Sequence, residues 1–139
     1  MKHVLNNPYH EIIRFDKGEK VVEELKKFVE EKDIKVGWIW MLGSAEKVEL
    51  AYYYLLKKEY QSKVFEESLE VIDVQGNIAR KDGEVALHLH GTFGRTDFST
   101  ISGHVNEIVA AATVEVFIHK IEGKLTRAHD EATGLNLLQ

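Results

Sequence analysis

The chain has 139 residues, 44% of them hydrophobic and 29% charged, enough to bury a core without disulfides and expected to form one domain over residues 1–139. Its formal net charge of -5 has the wrong sign for a protein whose main work is gripping phosphates, and the absence of cysteine excludes disulfide scaffolds, thiolate metal sites and cysteine nucleophiles. The N-terminal MKHVLNNPYH lacks the apolar stretch of a signal peptide and no apolar run nears the ~18 residues of a membrane span, so a soluble cytoplasmic protein is expected.

In chain order, EIIRF at 11–15 reads as a first short strand. One amphipathic helix follows in DKGEKVVEELKKFVEEKD: Val21, Val22, Leu25, Phe28 and Val29 recur at helical spacing, with Lys and Glu on the other face. Asp16 and Glu19 have the form of a capping box, which places the helix start near residue 17. VGWIWMLGS and VELAYYYLL then read as two strands separated at Gly43–Ser44, and LEVIDVQGNIA, EVALHLHGTF and TVEVFIHKIEG as three more. RKDGEV carries the Asp-Gly signal of a tight hairpin between residues 81 and 84. One helix and about six strands make an α+β protein with a largely antiparallel sheet. Trp38 and Trp40 share one strand face and are expected in a core or an interface, and the run AYYYLL is expected to be a strand covered on both sides.

Within EVALHLHGTF, Val85, Leu87, Leu89 and Phe93 share the core parity, while His88 and His90 share the other. Their Cα atoms are then about 7 Å apart on one face, a two-ligand platform for a metal ion. Chance alone yields roughly 0.3 such His-x-His pairs in a chain of this composition, so the pair needs support. TDFSTISGH supplies a third histidine, His104, after a turn. Three neutral imidazoles with an open fourth position is the pattern of a catalytic or ligand-exchanging zinc site. Glu115 and His119 share one parity of a later strand and are candidates for a ligand or a supporting partner; a solvated strand face accounts for them equally well, and for His119 better.

The ordered series RFDKGEKVVEEL, MLGSAEKVELAYY, LEVIDVQGNIA, HLHGTF, SGHV, VEVFI and LTRAHDEATGL resembles the plants-and-prokaryotes-conserved (PPC) domain over nearly the whole chain. The resemblance implies an α+β fold on an antiparallel sheet, a homotrimer, and kinship in fold with acetolactate decarboxylase, whose zinc sits on a His-x-His pair and a third histidine. Carried onto this sequence, that pattern falls on His88, His90 and His104, with zinc or another divalent transition metal bound once per chain. Plant members carry an AT-hook that enters the DNA minor groove, and no such segment occurs here. A role with DNA or DNA-associated proteins therefore rests on family association alone.

Three functions compete on this reading. A regulatory metal- or ligand-binding homotrimer is the first. A metal-dependent enzyme acting on a small carbonyl or carboxylate compound is the second; there Glu115 is a candidate acid or base and Arg127 a candidate holder of a substrate carboxylate. Glu70, Glu115 and Arg127 serve equally well as surface or ion-pair residues. An assembly domain with a structural metal is the third, recognisable by loss of fold or trimer on chelation.

Overall fold

The computed structural model describes all 139 residues. Two short strands, β1 (Lys2–Asn6) and β2 (His10–Asp16), lead into the one helix, α1 (Val21–Glu31). Six strands follow without a further helix: β3 (Gly37–Tyr54), β4 (Glu59–Phe65), β5 (Leu69–Lys81), β6 (Glu84–Gly94), β7 (Thr100–Lys120) and β8 (Arg127–Asp130); β9 (Leu135–Leu138) closes the chain. The architecture is the expected one, largely antiparallel sheet with a single amphipathic helix, although three strands that lack apolar alternation and the terminal β9 escape the sequence pattern.

Seven strands form one sheet in the order β1-β2-β7-β6-β5-β3-β4, and an additional pairing of β7 with β3 joins its two sides. The long strands make this closure possible. The start of β7 pairs with β6 from Thr100 to His104, while the rest runs along β3 from Ala51 back to Gly37. Since β3 also pairs with β5, and β5 with β6, four strands enclose a packed interior. Twenty-five buried residues form one cluster there, including Ile39, Met41, Leu89, Phe93 and Ile108. The apolar stripe of α1, Val21, Leu25, Phe28 and Val29, seals one side of it. Each such side chain removed from water contributes about 1.5–3 kcal/mol, which a helix of three turns needs to persist.

Two expectations about local structure require correction. The helix begins at Val21 rather than near 17, because Asp16 and Glu19 close a turn ahead of it: the Glu19 carboxylate accepts from the Asp16 N–H at 2.8 Å, but Asp16 pairs with Arg14 at 2.9 Å instead of capping. The free N–H groups of Val22 and Glu23 donate instead to the Glu107 carboxylate of β7, at 2.7 and 3.2 Å. Secondly, the two strands expected around Gly43 are one, and the strand expected at 113–123 begins at Thr100. Gly43 is a bulge, not a turn: at φ 144° its missing Cβ would stand 2.2 Å from the Thr113 carbonyl oxygen, so β3 passes close to β7 without breaking.

The hairpin from β5 to β6 behaves as its sequence predicts. Asp82 and Gly83 both adopt positive φ, 52° and 89°, the conformation of a two-residue turn whose twist matches the strands. That turn fixes the register for the whole pair. Asn77 therefore lies opposite His88 and Gln75 opposite His90. Within one chain AYYYLL is not covered on both faces: β3 ends at Tyr54, and Tyr52 and Leu55 are 66% and 57% exposed on an arm that outruns the core. Of the two tryptophans expected in a core or an interface, Trp40 is exposed on the outer sheet face and so does not belong to the core.

Candidate metal centre

Strand alternation turns His88 and His90 away from the interior that holds Val85, Leu89 and Phe93. Antiparallel pairing then sets His104 of β7 directly across from His90. The three imidazole centroids lie 5.0, 5.2 and 5.4 Å apart, a nearly equilateral triangle. One ring nitrogen from each falls within 4.8 Å of the other two. Zinc bound to imidazole at about 2.0–2.1 Å draws such nitrogens closer, a closure that small side-chain torsions supply.

His88 and His104 are half-buried and His90 is exposed. Burial is the main force on the first two. It depresses His104 to about 4, helped by His88, His90 and Arg127, and it lowers His88 with help from Arg127 and His90. Both rings are accordingly neutral at ordinary pH, with lone pairs available for a metal. Nδ1 of His104 is buried and has no hydrogen-bond partner, so the chain leaves one polar atom of this triangle unsatisfied. No carboxylate belongs to the cluster, and three histidines with an open side match the donor set of a ligand-exchanging zinc site.

The triangle lies in a cleft of about 600 Å³ lined also by Tyr53 and Tyr60, by Asp73, Gln75 and Thr92, and by Leu135. Tyr60 packs its ring 5.1 Å from that of His104, and burial followed by the neighbouring Tyr53 raises its hydroxyl above the usual range. Arg127, from β8, stands behind the lining of this cleft, against His88. Its Nη2 donates to Nδ1 of His88 at 3.2 Å and to the Asn77 side-chain oxygen at 2.9 Å, while Nη1 donates to the Asn136 carbonyl at 2.8 Å. The β8–β9 hairpin that carries it is tied down by Tyr53, whose hydroxyl donates to the Thr133 carbonyl at 2.6 Å.

Of the residues singled out by sequence, the structure brings His88, His90, His104 and Arg127 together. Glu115 lies elsewhere: it is exposed on the part of β7 flanked by Arg14 of β2 and Leu42 of β3, and it does not line the cleft. Glu70 is an exposed strand residue opposite Gly94. His119 faces His10 on the outer sheet, ring nitrogens 3.1 Å apart, away from the triangle. Sequence reasoning overlooked Asn77, Tyr60 and Asn136. Asn77 could have been found by counting back from the Asp82–Gly83 turn; Tyr60 and Asn136 lie on strands with no pattern to announce them.

The sequence profile of the Plants and Prokaryotes Conserved (PCC) domain, the family abbreviated PPC above, matches residues 7–122. Among solved structures, a metal-containing protein of Archaeoglobus fulgidus is 32% identical, covers 100% of this chain and 99% of its own, and superimposes with a TM-score of 0.89. A candidate DNA-binding protein of Bacteroides thetaiotaomicron is 27% identical over 97% of this chain and 94% of its own, with a TM-score of 0.94. Alpha-acetolactate decarboxylase of Bacillus subtilis, 17% identical, covers 88% of this chain and 57% of its own with a TM-score of 0.58, a likeness of fold alone. No curated protein sequence matches.

Proposed function

The chain belongs to the Plants and Prokaryotes Conserved domain family, and from that premise we propose that it is a metal-binding regulatory domain of the cytoplasm. In this reading it is a single domain, assembles as a homotrimer, and holds one zinc ion per chain on His88, His90 and His104. The observation that carries the reading is the convergence of three ring nitrogens within 4.8 Å on a rigid pair of strands, two of them kept neutral by burial. The Archaeoglobus fulgidus relative, a metal-containing protein, supports the same reading. An association with DNA would run through the assembly or a partner, since the chain's net charge of -5 opposes a phosphate grip.

A second reading, a metal-dependent enzyme acting on a small carbonyl or carboxylate compound, is favoured by the cleft. Zinc held there supplies a Lewis acid for an oxygen of the ligand or for water. The residues of this chain would do the rest: Arg127, held against His88 behind the cleft, would orient an anionic group once turned toward it, the Tyr60 hydroxyl is placed to hold a proton, and Leu135 with Tyr53 excludes water from one wall. Elemental analysis of protein purified without a metal-affinity tag tests the shared premise. Near-stoichiometric zinc in wild type, absent from His88→Ala/His90→Ala, is the expected outcome. Metal-free wild type that also fails to take up added zinc overturns both readings.

A further inference from the structure

Arg127 stands in an unusual relation to the triangle. A guanidinium can only donate hydrogen bonds, so its 3.2 Å contact with His88 requires the lone pair of that imidazole to be on Nδ1 and its proton on Nε2. A metal needs a lone pair from the same ring. Binding through Nδ1 takes the lone pair that Arg127 is using; binding through Nε2 moves the proton to Nδ1, where it meets an N–H of the guanidinium head-on. Either route breaks the contact.

Nothing else in the chain neutralises this cation. Its other partners are the neutral oxygens of Asn77 and Asn136, its Nε is buried without a partner, and none of the ion pairs of the protein includes it. Adding a divalent cation beside it leaves three neutral imidazoles, a free guanidinium and, on the cleft lining, the carboxylate of Asp73 alone. Such a cleft is short of negative charge.

We propose that metal and Arg127 compete for His88, so that metal loading releases the guanidinium into the cleft as the binding group for a small carboxylate, which bridges the two positive centres. The idea rests on the three-histidine metal site proposed above. Planar guanidinium pairs with carboxylate through two parallel hydrogen bonds, and the freed Nη2 together with the unpaired Nε provides them. Carboxylate binding is then conditional on metal, and the metal-free protein is closed to the ligand by its own arginine.

Pyruvate serves as probe, titrated calorimetrically into zinc-loaded and metal-free wild type, with zinc affinity measured by chelator competition for wild type and Arg127→Gln. The expected result is pyruvate binding at least tenfold tighter in the zinc-loaded form, and zinc bound severalfold more tightly by Arg127→Gln, whose zinc-loaded form binds pyruvate more weakly than zinc-loaded wild type. Weaker zinc binding by a folded Arg127→Gln overturns the proposal, because it makes Arg127 a support for His88 rather than its competitor. Equal pyruvate affinity with and without zinc overturns it too while leaving the metal site standing; no zinc uptake by wild type removes the metal site itself. Should Arg127→Gln fail to fold, nitrogen-detected NMR of metal-free wild type decides: His88 protonated on Nε2 supports the competition, and His88 protonated on Nδ1 overturns it.

Discussion

His104 carries opposing demands in one ring: it packs against Tyr60, offers nitrogen to the triangle, and keeps a buried Nδ1 with no partner. A charged imidazole is poorly tolerated there, and its pKa falls from 6.5 to about 4. Between those values the unfolded chain binds a proton that the folded chain refuses. Stability of the metal-free protein therefore declines as pH falls from about 6.5 through about 4, and is fully present above the upper value. Denaturant midpoints measured on the metal-free protein across that range are expected to drop toward acid, and His104→Leu is expected to flatten the curve. A wild-type midpoint independent of pH over the same interval contradicts the assignment. The same neutrality that costs acid stability keeps the ring ready for a metal at ordinary pH, so burial governs both behaviours.

At the level of elements, α1 shows how a locally legible segment can depend on a distant one. Its apolar stripe is plain in the sequence because Val21, Leu25, Phe28 and Val29 follow a short-range period. Its cap is not, since Glu107 reaches the first-turn N–H groups of Val22 and Glu23 from across the fold. Glu107→Ala is expected to cost about 1–2 kcal/mol of stability by denaturant unfolding, the usual price of losing a helix cap, with the metal site intact. A change within experimental error contradicts that role. The strands divide in the same way. Parity within β6 and the Asp82–Gly83 turn reveal the faces and register that set His88 and His90, because both signals are local. Continuity of β3 and β7 through their bulges stays hidden, since Gly43 reads as a turn until β7 is seen beside it. Strand β4 was missed for another reason: it is exposed almost throughout and so has no buried face to impose alternation. His104 was legible as a third candidate from the turn after β6 and from the family motif, while its place directly opposite His90 is set by the β6–β7 register.

Across the whole molecule, the outer sheet face combines the histidine triangle with an apolar surface. Register lines up His10, His119, Trp38, Asn77 and His88 in one row, and Ile12, Phe117, Trp40, Gln75 and His90 in the next. Trp40, Leu42 and Phe117 are 45%, 51% and 36% exposed there, and Ile12 sits between them and the edge strand. Soluble monomers seldom leave contiguous large apolar side chains in water, and such patches mark contact surfaces. Cyclic association joins two different surfaces of the chain, so this face has no need to match itself, and a trimer can close through it. In the proposed trimer the aromatic side chains would anchor that packing, and Arg14 and Glu115, opposite each other on β2 and β7, would give it a charged rim. Sedimentation analysis of wild type is expected to return three times the 15.9 kDa chain mass. Trp40→Glu/Phe117→Glu places two charges in that contact and is expected to sediment as a monomer with an unchanged β-sheet spectrum. It should keep its zinc, because His88, His90 and His104 all come from one chain. A monomeric wild type, or a double variant that remains trimeric, removes this face from the assembly; loss of zinc on dissociation would make the triangle dependent on a neighbouring copy.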